Sequence, residues 1–163
     1  MYEGFSQARH DGLLAGLSGH GWARATEVVS AATSDALLRR AQAADWTALA
    51  GEGHALETAP LADPNLAAIL GADELRFMRH APGDYGLPPA VETGIGFVLD
   101  LTPGWASQHG GLLLFAQGDR VRGWRPEQGA LTLFELRRPL ILSVVGPEAR
   151  GPRVAVLGRL AEG

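Results

Sequence analysis

Residues 95–105 read IGFVLDLTPGW: an apolar run, Ile95–Leu101, closed by Thr102-Pro103-Gly104. Branched and aromatic residues that stop at a Pro-Gly turn are the pattern of a short strand. The same texture continues on both sides. Upstream, Leu75–Arg79 ends at APGDYG. Downstream lie Gly111–Phe115, Arg120–Trp124, Ala130–Leu136, Leu140–Val145 and Arg153–Leu160, most of them separated by turn signals such as QGD, RPEQG and GPEARGP. Seven short strands at regular spacing predict a sandwich or barrel.

The chain before this half has another texture. Residues 1–72 are rich in Ala and Leu and read as mainly helical. Thr33 or Ser34 can cap a helix whose apolar face carries Leu37, Leu38, Ala41, Trp46 and Leu49, with Arg39, Arg40 and Gln42 outward. Asp63-Pro64, LAAIL and Gly71 give a compact helix with cap, first-turn proline and terminating glycine. A weaker helical pattern covers Phe5–Leu17, and Trp22–Val29 reads as a strand. The 163 residues are enough for one domain, in which a helical layer (1–72) buttresses a strand-built barrel (74–160). The fold class is therefore α+β.

Composition narrows the function. Hydrophobic residues make up 46% and charged residues 20%, as in ordinary soluble globular proteins. The net charge of -4, and basic clusters no longer than Arg39-Arg40 or Arg137-Arg138, argue against nucleic acid as a partner. No apolar stretch is long enough for a membrane span, and the first residues lack a signal pattern, so the expected location is cytoplasmic. The absence of Cys excludes disulfides, thiolate zinc sites and thiol nucleophiles. All 14 basic residues are Arg, which removes Schiff-base chemistry and suggests a GC-rich bacterial genome. Ser143 lies in a strand without a G-x-S-x-G elbow, so a serine hydrolase is a poor reading.

Five pieces of the strand half, taken in order, carry a resemblance. They are Leu75-Arg-Phe-Met-Arg-His-Ala-Pro-Gly-Asp-Tyr85, Gly96–Trp105, Gly110-Gly111-Leu-Leu-Leu-Phe115, Arg125-Pro126 with Gly129–Phe134, and Arg153–Gly158. Over residues 75–160 they resemble the small prolyl 4-hydroxylase-like members of the iron- and 2-oxoglutarate-dependent oxygenases. The resemblance implies a double-stranded β-helix, a jelly-roll or cupin-like barrel. It also implies a His-x-Asp motif after the Gly-Asp-aromatic turn and a distal His, together holding Fe(II), and an Arg opening the last strand to bind the far carboxylate of 2-oxoglutarate.

Against that pattern, Pro89 stands at the first His position, Val91 at the Asp position and Leu140 near the distal His. The chain has no His after His109, so no shift of alignment restores the distal ligand. Pro, Val and Leu side chains have no lone pair for a cation. The expectation is a pseudoenzyme with no cofactor, its centre closed by apolar packing. Its barrel would bind a partner protein or a small anionic ligand. Arg153 is the carboxylate-clamp candidate, with Arg150 as its alternate and Arg79 as a further inward candidate.

Two other readings remain open. One is an enzyme on the same barrel. It could be metal-free, using Arg153 with Asp84, Glu92 or Tyr85. It could instead use a rebuilt metal site from His80, Glu92 and His109 or Asp84, with Fe(II) and 2-oxoglutarate back in play. The other is a self-associating β-sandwich scaffold. Asp84 and Tyr85 are expected to shape the turn, with Gly86 relieving its backbone, and Trp105 and Trp124 to pack at the barrel rim.

Overall fold

The structure, a computed structural model, describes residues 7–89, 93–138 and 140–162. In chain order the elements are α1 (Gln7–His20), β1 (Trp22–Ala25), α2 (Ala31–Gln42), β2 (Thr47–Gly51), β3 (His54–Pro60), α3 (Pro64–Leu70), β4 (Ala72–His80) and β5 (Ile95–Asp100). After a short 3₁₀ turn, Ser107–His109, come β6 (Leu113–Gln117), β7 (Arg120–Trp124), β8 (Leu131–Glu135), β9 (Leu140–Leu142) and β10 (Arg153–Leu160). No described helix is long and apolar enough to cross a membrane.

The strands form a seven-stranded sheet of order β1-β8-β5-β10-β4-β3-β2 and a three-stranded sheet of order β7-β6-β9. All the pairings are antiparallel. The large sheet carries two cores, one on each face, because side chains alternate along its strands. Ala23, Phe77, Phe97, Leu99, Leu131, Leu133, Val154 and Val156 pack with Leu13, Leu17, Leu37 and Leu66 of the helices. Trp22, Met78, Val98, Phe134 and Ala155 face the other way, toward Leu113, Phe115 and Leu142 of the small sheet. This is the double-stranded β-helix that the family resemblance implies, with helices against the outside of the large sheet.

All seven expected strands are present. The first 72 residues differ from expectation, because the hairpin β2–β3 extends the large sheet where a helical layer is predicted. The apolar face of α2 does not continue to Trp46 and Leu49: the helix ends at Gln42 with Ala43 as its C-cap, and the Trp46 indole N–H donates to Ala41 O at 3.0 Å, closing its last turn. Its N-cap is Ser30, whose Oγ accepts from Thr33 N at 3.1 Å, not Thr33 or Ser34. For α3 the reading holds. Asp63 Oδ1 accepts from Leu66 N at 2.9 Å, and Gly71 ends the helix at φ 65°.

The turn between β4 and the small sheet is built as expected. Asp84 Oδ2 accepts from Ala81 N at 2.9 Å, and Tyr85 exchanges two backbone hydrogen bonds with Ala55. Gly86 donates to Leu142 O at 2.8 Å and sits at φ 78°, where a Cβ would meet the backbone of Gly53 and His54. This turn therefore ties β3 to β9 and sets where Pro88 and Pro89 begin.

Candidate functional site

The interior face of the large sheet can be read in layers from its register. Arg153 pairs with His80, Ala155 with Met78, Leu157 with Arg76 and Arg159 with Glu74. On the other side of β10, Ala155 pairs with Asp100, Leu157 with Val98 and Arg159 with Gly96. Thr132 of β8 lies opposite Val98 and opposite Arg24 of β1. One end of the barrel interior is thus polar and sealed, the middle is apolar, and the other end is open and edged with arginine.

At the sealed end, Arg153 is 0% exposed and Asp100 1%. Arg153 Nη2 donates to Asp100 Oδ1 at 2.6 Å, and Arg24 Nη1 stands 3.5 Å from the second carboxylate oxygen. Arg24 is itself anchored, donating to Thr132 Oγ1 at 2.8 Å and to Arg125 O at 3.0 Å. Arg153 Nε and Nη1 make no hydrogen bond. A Cβ on Gly111 would lie 3.1 Å from Arg153 Cδ, 3.2 Å from Val145 and 3.6 Å from Trp105, so this glycine lets the lid of Trp105 and Val145 close over the guanidinium. Trp105 is locked in turn by its indole N–H to Gly110 O at 2.8 Å. It is buried and packs against Val145 and Ala149.

Burial is the main influence on these groups. It pushes the Asp100 carboxyl up and the Arg153 guanidinium down, and each is held charged chiefly by the other. His80 shares the layer. Its Nε2 lies 2.7 Å from Gly86 O, which requires the Nε2–H tautomer, and its pKa is lowered to about 4 by burial and then by the nearby Arg153 charge, against the Gly86 hydrogen bond. A neutral imidazole beside a fixed cation is a poor place for a metal ion. His109 lies elsewhere: its Nδ1 accepts from Ala106 N at 3.3 Å, and its ring meets Trp105 edge-on. Among the described residues no group of three His, Asp or Glu comes together to hold a metal. Glu92 and Val91 lie outside the described residues.

At the open end is a cavity of about 700 Å³, and both Pro89 and Leu140 line it. The two positions that the resemblance pairs do face one space, but they do not close it. Pro89 is exposed and Leu140 half-buried, so among the described residues these two of the three expected positions do not plug the interior, and the third, Val91, lies outside the described residues. The plug lies deeper, where Met78, Val98 and Ala155 separate this cavity from Arg153.

The remaining candidates fall outside this interior. Arg79 does not face inward: alternation turns it to the outer face, where its Nη2 pairs with Glu57 at 2.7 Å and its guanidinium lies 4.2 Å over the Trp46 ring. Arg150 is exposed on the turn before β10, so Arg153 is the buried arginine of the pair. Trp124 is half-buried and packs on Trp22 at 5.6 Å. Asp100 and Arg24 escape a sequence reading. The available signal is a carboxylate ending an otherwise apolar strand, Ile95–Asp100.

No family model matches the sequence, and no curated protein is similar to it. Solved structures are similar in fold. A prolyl-4-hydroxylase from Pseudomonas putida superposes with a TM-score of 0.74 at 19% identity, over 93% of this chain and 98% of the other. A prolyl hydroxylase from Trichoplax adhaerens, solved with a peptide of hypoxia inducible factor, gives 0.75 at 14% identity, over 94% and 89%. A 2OG-Fe(II) oxygenase family oxidoreductase from Burkholderia pseudomallei gives 0.66 at 11% identity, over 89% and 87%. The chain has the double-stranded β-helix fold of these proteins.

Proposed function

We propose that this chain is a non-catalytic relative of the Fe(II)- and 2-oxoglutarate-dependent oxygenases, a barrel that binds a small anionic ligand in place of performing oxidation. The observation that carries this reading is the Arg153–Asp100 pair at 2.6 Å. The arginine that the resemblance assigns to the 2-oxoglutarate carboxylate already holds a carboxylate of its own chain, under a lid and away from solvent. An incoming dicarboxylate would have to displace a buried ion pair, and breaking such a pair costs about 3–5 kcal/mol.

The residues at the metal positions support the same reading. Pro89 and Leu140 line the cavity without a donor atom, His109 is held against Ala106 and Trp105, and His80, bound through Nε2 to Gly86 O, is sealed beside the Arg153 cation with no acidic side chain to complete a metal site among the described residues. The described residues therefore do not fit Fe(II) with 2-oxoglutarate. The test is calorimetric titration of the protein with Mn(II), a surrogate for Fe(II), with and without 2-oxoglutarate, alongside an assay for succinate. No stoichiometric metal binding and no succinate are expected. One-to-one metal binding with 2-oxoglutarate turnover would overturn the proposal.

A further inference from the structure

We infer that the open end of the barrel is a binding site for a monoanion with an apolar body, such as an aliphatic carboxylate, its head group on Arg76 and Arg159. The inference rests on the non-catalytic reading only in taking this cavity as a place of binding. It adds the chemical class of the ligand.

The charge is placed by the sheet register. Arg76 opposes Leu157 and Arg159 opposes Glu74, so the two arginines are diagonal neighbours on adjacent antiparallel strands, on the face that looks into the barrel. Diagonal neighbours stand about 7–8 Å apart at their Cα atoms, which long side chains close easily onto one shared anion. Their acidic neighbours do not saturate Arg76. Its Nε lies 3.9 Å from Glu74 Oε1, beyond hydrogen-bond reach, and the Glu74 side chain, which also lines the cavity, is 74% exposed and free to turn away from a bound anion. Arg159 stands 3.8 Å from Asp73. Both arginines line the cavity while 49% and 35% exposed, so their guanidinium groups are within reach of a ligand that enters it.

The body of the ligand is specified by the walls. Gly96 opposes Arg159 on β5, and a Cβ there would lie 2.7 Å from Leu136 and 2.8 Å from the Phe134 ring. Its missing side chain lets Phe134 and Leu136 lie flat against the sheet. With Leu140, Leu142 and Leu157 they make an apolar wall beside the two guanidinium groups. A volume of about 700 Å³ is within the roughly 300–1,000 Å³ range of small-molecule sites, which pair apolar walls with a few polar anchors in the same way. A free dicarboxylate such as 2-oxoglutarate offers this wall nothing to bury.

The test is calorimetric titration of the whole protein with octanoate, 1-octanol and octylammonium. Octanoate is expected to bind one-to-one, octanol at least tenfold more weakly, and octylammonium not at all. Arg76→Gln and Arg159→Gln, both at partly exposed positions, should each weaken octanoate at least fivefold while leaving the circular dichroism spectrum and octanol binding unchanged. Leu140→Asp should abolish octanoate binding by placing a like charge on the wall. Equal binding of octanoate and octanol, or binding of neither, would sink the inference. One-to-one Mn(II) binding with 2-oxoglutarate turnover would instead sink the non-catalytic reading and leave the octanoate result standing, so the two failures are distinguishable.

Discussion

Arg153 and Asp100 are joined by a 2.6 Å hydrogen bond between two side chains that water does not reach, at the sealed end of a barrel whose other end is open. In the oxygenases that this fold resembles, the expected ligand of that arginine is a carboxylate from outside. Here the carboxylate is covalently part of the sheet, and Arg24 steadies it from the second side. The carboxylate that meets Arg153 at the sealed end comes from the chain itself.

Removing Asp100 exposes what the pair conceals. Asp100→Ala leaves a buried guanidinium with Nε and Nη1 already lacking partners, and should cost about 3–5 kcal/mol of folding stability. Formate has the size and charge of the deleted group. It should restore part of the loss in urea melts of Asp100→Ala, and should do nothing for Asp100→Asn, which leaves no hole. An equal formate effect on wild type and Asp100→Ala would show that the pair is not a self-filled anion site.

His80 gives this interior a pH dependence. Its folded pKa, about 4, lies below the unfolded value of 6.5, so between these two pH values the unfolded chain binds a proton that the folded protein refuses. Stability from this group is complete above pH 6.5 and is lost as pH falls toward 4, on the order of 3 kcal/mol in all. The difference in urea stability between wild type and His80→Gln, measured from pH 7 to pH 4, isolates the contribution from that of the carboxylates. A pH-independent difference would contradict the buried neutral imidazole.

The seven strands of the second half were legible because apolar alternation and Gly/Pro turns agree there. The hairpin Thr47–Pro60 was not, since TALAG and HALETAP carry as much Ala as a helix does, and only pairing with β4 makes them strands. Arg153 was legible through the family resemblance, but its partner was not. Asp100 falls within the expected strand Ile95–Leu101, but only the register places it across from Ala155, one step along the interior face from Arg153. Arg79 failed by a single residue of phase: in a strand, one step turns a side chain from the barrel to the helix side.

Gly86 connects the turn to the sealed end. It occupies φ 78°, a Cβ would press on the Gly53 and His54 backbone, and its carbonyl accepts the His80 imidazole. Gly86→Ala should therefore cost at least about 1–2 kcal/mol from the left-handed backbone alone. It should also steepen the pH dependence attributed to His80, because the Gly86 hydrogen bond is what raises the imidazole pKa against burial, and disturbing it moves that pKa further below the unfolded value. Urea melts at pH 7 and pH 5 check both effects. A variant as stable as wild type at both would mean that the turn adapts without strain.

Pro89 and Leu140 line one cavity, which makes their proposed correspondence to metal positions testable. If these positions correspond to metal ligands of the active oxygenases, then Pro89→His, Val91→Asp and Leu140→His together present two imidazoles and a carboxylate, a set that suits Zn(II) or Fe(II). The triple variant should bind Zn(II) one-to-one where the natural chain does not. It should still fail to turn over 2-oxoglutarate, because Asp100 continues to hold Arg153. Adding Asp100→Ala to the triple variant should then let 2-oxoglutarate strengthen metal binding. The readout is Zn(II) calorimetry on the natural, triple and quadruple chains, with and without 2-oxoglutarate. If 2-oxoglutarate strengthens binding in the triple variant as much as in the quadruple one, Asp100 is not what keeps the carboxylate out.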